Sequence, residues 1–222
     1  MVNIRKAITA ALVGTLIAAP GFADERTEAY VETNANAVLQ TLNDPALDGA
    51  DRTAVFSQYM DEFTDLNRVS NFVVGKYARR FDEAELARYR EAFRAYALTV
   101  YEVQLDQYRG ESVDVLGSVD RSPTDSIVNT VIKRQDGQPM DVRWRVLERD
   151  GRFQVVDVAL NIEGNLLWLA IEQRAQFISL LDRTNGSADA LVEKINAMTA
   201  KLVAEKAEGR APAPTGFAAE ET

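Results

Sequence analysis

Apolar residues recur at every third or fourth position through the first half of this chain and at every second position in its middle. Between Arg26 and Leu42 they are Tyr30, Val31, Val38, Leu39 and Leu42, a helical stripe halted by Asn43-Asp44-Pro45. Val55, Phe56, Tyr59, Met60 and Phe63 place a second helix over about Ala50–Asp65, and VSNFVVGKYA (69–78) reads as a shorter third. The longest stripe begins after Asp82, an N-cap followed by Glu83 and Glu85 in the turn that favours acids. It carries Leu86, Tyr89, Phe93, Tyr96, Val100, Tyr101, Leu105 and Tyr108, and stops at Gly110.

The period then shortens. Glu111–Gly117 sets Val113 and Val115 on one face. Ser126–Lys133 has Ile127 and Val131 on one parity and Val128 and Ile132 on the other, the pattern of a strand buried on both sides. Asp136-Gly137 turns the chain into Met140, Val142, Trp144 and Val146, which alternate with Asp141, Arg143 and Arg145. Asp150-Gly151 turns it again into Phe153, Val155, Val156 and Val158. Strands joined by turns this tight form an antiparallel meander. The face bearing Arg143 and Arg145 is polar, so the opposite face needs cover from the helices before it and from the helical stretch 165–206 after it. The fold class is α+β: an antiparallel, curved sheet of four to five strands covered by helices, built from the same parts as ketosteroid-isomerase-like cones.

Composition narrows the chemistry. The chain has neither Cys nor His, so disulfides, thiol nucleophiles, Ser-His-Asp schemes and the commonest metal ligands are all excluded. No cofactor or metal is expected. Residues 1–23 pair Arg5 and Lys6 with the apolar run Ala7–Ala19, then Pro20 and Gly21-Phe22-Ala23, the layout of a cleavable export signal. Export to the periplasm leaves a domain over 24–206 and a Pro/Ala/Gly/Glu tail, 207–222, expected to be disordered. The net charge of −9 becomes −11 once Arg5 and Lys6 are removed with the signal. A surface this acidic repels phosphate backbones and anionic bilayers, which argues against nucleic acid and against stable membrane insertion.

Two features have a functional and a plain reading. Asp157 is the one acid in an apolar context, sharing strand parity with Phe153 and Val155. It reads either as the pocket base of a small-molecule isomerase or cyclase, or as a carboxylate bound by backbone or an arginine. A base also needs donors for the developing anion, and none is recognisable. The aromatics Tyr89, Phe93, Tyr96, Tyr101, Trp144 and Trp168 make either a filled core or the wall of a cavity, because both use the same residue types.

The ordered motifs resemble the MlaC family, the periplasmic auxiliary components of the Mla (toluene-tolerance) lipid transporters. The matching elements are Val74-Gly75-Lys76-Tyr77, Asp82-Glu83, Phe93, Tyr101 and Tyr108, then Asp136-Gly137, Val142-Arg143-Trp144-Arg145 and Gly151 to Val158. Glu163-Gly164 and Arg174-Ala175-Gln176-Phe177 follow in the family's order, so the resemblance covers roughly 28–205. Leu160-Asn161-Ile162, Asn165 after Gly164, and Ala78 in place of a tryptophan depart from it.

The resemblance implies a non-enzymatic phospholipid carrier. It would exchange cargo between an outer-membrane lipoprotein–porin complex and an inner-membrane ABC transporter. Acyl chains would lie between sheet and helices. Expected lining residues are Phe93, Tyr96 and Val100 on the long helix, Val113, Val115, Val142, Trp144, Val146 and Val155 on the meander, and Phe177. Val158, Leu160, Leu166, Leu167 and Trp168 would form the mouth, with Tyr77 and Arg174 near the head group and a hinge at Gly164-Asn165.

Overall fold

Each β-strand of this protein is joined to the next by a turn too short for anything but an antiparallel partner. The computed structural model describes residues 25–106, 112–133, 139–162 and 164–208. Strands β1 (Val113–Ser122), β2 (Asp125–Lys133), β3 (Pro139–Arg149), β4 (Arg152–Ile162) and β5 (Asn165–Trp168) pair in sequence order. Asp150 and Gly151 between β3 and β4 both have positive φ (51° and 74°), the backbone of a tight hairpin turn whose twist matches the strands. The expected signal segment, Tyr108 to Glu111, Asp136-Gly137, Glu163 and residues 209–222 lie outside the described residues.

Three details of the sheet differ from simple alternation. Strand β1 does not stop at Gly117 but runs on to Ser122, because a bulge between Val115 and Gly117 absorbs Leu116, with Gly117 at φ 129°. Strand β2 is fully buried on one face only: Ser126, Val128, Thr130 and Ile132 are buried, while Ile127 and Val131 are half-buried. The third detail is a register shift between β3 and β4. Val146 faces Val155 and Arg145 faces Asp157, leaving Val156 as the extra residue. Val155 and Val158, three apart, therefore both meet inward partners, Val146 and Trp144. Asp157 falls on the face of Arg145 and not, as strict alternation predicts, with Val155.

The stretch 165–206 is not helical throughout, since it opens with β5. Strand β4 continues through Leu160-Asn161-Ile162 and folds back, with Leu160 opposite Leu167 and Asn161 opposite Leu166. Leu160, Asn161 and Ile162, which depart from the family's motif order, thus form the end of β4 against which β5 pairs.

Helix α1 (Glu25–Asn43) lies across β1 and β2, and its Val31, Ala35 and Leu39 join Phe63, Val128, Val142 and Val146 in one core. Helix α2 (Gly49–Phe63) is capped by Asp48, and α3 (Leu66–Val74) by Asp65. Thr64, between them, bridges to Val155 of β4. The expected third helix breaks at Gly75 (φ 53°) into a 3-10 turn, Gly75–Arg79. The positive φ at Gly75 disfavours any side chain there, and a Cβ would also push aside the Arg174 guanidinium, 2.7 Å away.

Helix α4 (Glu83–Asp106) opens on a reciprocal capping box: Asp82 N–H donates to Glu85 Oε2 at 2.9 Å and Glu85 N–H to Asp82 Oδ1 at 2.8 Å. With α5 (Leu169–Arg183) and α6 (Ala188–Ala207) it forms a second core around Tyr89, Phe93, Phe177, Leu181, Leu191 and Ile195.

Candidate functional site

Two apolar cavities lie where the helices meet the sheet. The first opens to solvent and is walled by Phe93, Tyr96, Ala97 and Val100 of α4, Leu66 and Val69 of α3, and Leu169, Ala170 and Gln173 of α5. Val155, Val156 and Asp157 of β4 close it on the sheet side. The second lies under α1 and is walled by Ala35, Val38, Leu39, Met60 and Phe63 together with Val113, Ile132, Trp144 and Val158. Thr64 and Val155 belong to both walls. Those two residues form the isolated bridge, beside which Asp65 N–H donates to the Val155 carbonyl at 3.3 Å. A single backbone crossing partitions the two spaces.

Local structure explains the greasy walls. Phe93, Tyr96, Ala97 and Val100 fall at i, i+3, i+4 and i+7, one face of α4. Trp144 donates its indole N–H to Thr130 Oγ1 at 2.9 Å, and Thr130 donates onward to the Val142 carbonyl at 3.1 Å. The polar edge of the indole is thereby satisfied. Its ring packs 5.7 Å from Phe63, another wall residue of the second cavity.

Asp157 holds the start of α5. The helix's preceding residue, Trp168, offers no side-chain cap, and Asp157 Oδ1 instead accepts from Ala170 N–H and from its own neighbour Val158 N–H, both at 2.9 Å. Burial pushes this carboxyl up to about 6, against the pull of the two backbone donors and Arg145. Arg145 itself is committed to Asp125 through two bonds, 2.9 and 3.1 Å.

Of the residues expected to line a pocket, Phe93, Tyr96 and Val100 face the first cavity, Val113, Trp144 and Val158 the second, and Val155 both. Val142 and Val146 are sealed in the sheet core, with Val115 and Leu160 half-buried against it. Phe177 belongs to the helical core, edge-on to Phe93 at 6.4 Å, because the buried stripe of α5 turns from the sheet at Ala170 and Gln173 toward α4 and α6. Leu166 (38% exposed) and Trp168 sit on β5 and line neither cavity.

Tyr77 and Arg174 also take other work. Tyr77 donates to Asp182 at 2.5 Å, and Arg174 donates to the Phe72 carbonyl while stacking on the Phe72 ring at 4.9 Å. Both fasten α3 and its 3-10 turn to α5. Sequence reasoning passed over Thr64, Leu66, Val69 and Gln173 as wall residues. Their helices are short or amphipathic in an ordinary way, and nothing in the local pattern says which neighbour they face.

With this geometry in hand, comparison with known proteins is decisive about kinship. The model of the MlaC protein family matches residues 32–197, which include every residue walling either cavity. The chain belongs to the MlaC family. No curated protein matches it. Among solved structures, it is similar to a phospholipid-binding protein from Ralstonia solanacearum determined in complex with a phospholipid. The two are 24% identical over 79% of this chain and 98% of that chain, with a TM-score of 0.66. At that identity the likeness is one of fold. This MlaC family member shares with that protein the α+β plan of an antiparallel sheet covered by helices.

Proposed function

We propose that this protein is a periplasmic phospholipid-binding shuttle that holds acyl chains in the two cavities and leaves the head group in solvent. The observation that carries the reading is the pair of apolar spaces that share the Thr64–Val155 crossing as a wall, in a chain of the MlaC family. Two acyl chains hold about 30 methylenes, and at about 0.8 kcal/mol each their transfer from a membrane to water costs on the order of 20–25 kcal/mol. A carrier that replaces most of the lost apolar environment removes that barrier. Among the described residues no helix is long and apolar enough to cross a membrane, consistent with a carrier that meets bilayers through partners. Those partners are an inner-membrane ABC transporter complex and an outer-membrane lipoprotein–porin complex of the Mla type.

An isomerase or cyclase using Asp157 has one observation in its favour, the raised carboxyl in an apolar cavity. Its Oδ1, however, is spent on the start of α5. Extraction of the purified protein with organic solvent, followed by mass spectrometry, tests the first reading. Stoichiometric phospholipid, and transfer of labelled phospholipid between donor and acceptor vesicles, are expected. A lipid-free protein that takes up none from vesicles overturns it.

A further inference from the structure

The wall of the first cavity holds four polar residues, Thr64, Tyr96, Asp157 and Gln173, among apolar ones. Gln173, only 2% exposed, has no hydrogen-bond partner at Nε2 or at Oε1, and Tyr96, 3% exposed, has none at its hydroxyl. Both residues line this cavity, from α5 and α4 respectively. Buried polar groups elsewhere among the described residues find partners: for example, Tyr89 donates to the Ser70 carbonyl at 2.8 Å, and Trp144 and Thr130 form the relay described above. The two arginines with an unpaired Nε, Arg52 and Arg90, place their other nitrogens on Asp44, Leu47 and Asn71. Among the described residues, Gln173 alone has a whole buried side-chain amide without a partner. Native interiors rarely leave such a group unpaired unless it has work to do.

We propose that Gln173 and Tyr96 form a polar seat inside the apolar cavity, one that selects lipids carrying a hydroxyl group on or beside an alkyl chain. The inference rests on the lipid-carrier reading and adds a selectivity to it. Gln173 presents a donor and an acceptor on one planar group, and Tyr96 can give or take a hydrogen bond. A hydroxyl is the smallest lipid group that answers both needs. A saturated chain answers neither, and an ester carbonyl accepts only, leaving Oε1 unpaired. A fatty carboxylate also accepts only, and it would share the cavity with Asp157. The hydroxyl could come from a substituted acyl chain or from the free glycerol position of a lysophospholipid.

Native mass spectrometry of the delipidated full-length protein, offered matched lipids in competition, tests this. Two pairs of phosphatidylcholines differ by a single hydroxyl: ricinoleoyl against oleoyl, and β-hydroxymyristoyl against myristoyl. Lysophosphatidylcholine against its 2-O-methyl ether is the third pair. The protein is expected to retain the hydroxylated member of at least one pair by about fivefold to tenfold, the worth of one well-made neutral hydrogen bond. Which pair shows it identifies the source of the hydroxyl. In Gln173→Leu and Tyr96→Phe, checked for folding by circular dichroism, that ratio falls to about one. Equal retention in all three pairs, or a preference that survives both substitutions, overturns the polar seat while leaving the carrier reading intact. Failure to take up any of these lipids overturns both.

Discussion

Tyr89 and Tyr96 stand about two turns apart on the same helix, and they divide the molecule into a filled region and a hollow one. Tyr89 packs against Phe81 and Phe93 at 6.1 and 5.9 Å, and its hydroxyl reaches the Ser70 carbonyl. Tyr96 is as deeply buried, yet its hydroxyl meets nothing and its ring faces a cavity. The residue type, helix and burial are alike; the neighbours differ. Around Tyr89, side chains of α3, α5 and α6 pack with those of α4 in one core, as the ridges of one helix fill the grooves of another. Around Tyr96, the neighbours are α3, α5 and the bulged strand β4, and the side chains they present leave a gap. Burial of an aromatic residue is therefore no measure of how full its surroundings are. The fate of its polar atom is the better guide.

The contrast can be broken at its filled end first. Phe177→Ala empties part of the solid core and is expected to cost about 3–5 kcal/mol in urea denaturation. A cost under about 1 kcal/mol would mean that the helical region is hollow as well. Next comes Asp157. Its carboxyl is raised from 3.8 to about 6, so the folded state holds the proton more tightly than the unfolded chain. The stability this contributes is complete below about pH 4 and is lost as pH rises through about 6. The shift amounts to roughly 3 kcal/mol. Asp157→Asn keeps an acceptor for Ala170 N–H, so its unfolding free energy relative to the parent should rise by about that much between pH 4 and 7. A difference that stays flat with pH would show that the carboxyl titrates normally.

Smaller effects sharpen the comparison between the two tyrosines. Tyr89→Phe leaves the Ser70 carbonyl without its partner and should cost about 1–2 kcal/mol. Tyr96→Phe removes an atom that bonds to nothing in the protein and should change stability by less than about 0.5 kcal/mol, or raise it. Equal losses would place both hydroxyls in the same kind of surroundings. The smallest stability effect is expected from Ala97→Leu. In a filled core the added bulk costs about 1–3 kcal/mol. On the wall of the first cavity it should cost almost nothing, and it should lower phospholipid retained in native mass spectra severalfold.

Much of the architecture was legible because it follows from short-range rules. The Asp82/Glu85 box, the Asp150-Gly151 turn and the stripe from Leu86 to Val100 are decided by residues within a few positions of each other. What escaped was anything that depends on slippage between distant strands or on which neighbour a helix face meets. Alternation assigned Asp157 to the side of Val155, and one bulged residue, Val156, moved it to the side of Arg145. Periodicity marked Phe177 as apolar correctly but not that it serves α4 and α6 instead of the sheet. Gln173 carried no signal at all, since a glutamine in a helix is ordinarily a surface residue.

The sequence by itself determined the helices, the meander and their amphipathic faces, and its motif order carried the kinship to the MlaC family, since each depends on local spacing and turn chemistry. Only the tertiary structure decided where those faces fail to meet. The hollow at Tyr96, the partition at Thr64 and Val155, and the unpaired amide of Gln173 arise from a mismatch in shape where α3, α4 and α5 meet the bulged strand β4. That mismatch is a property of three-dimensional packing, to which no window along the chain has access.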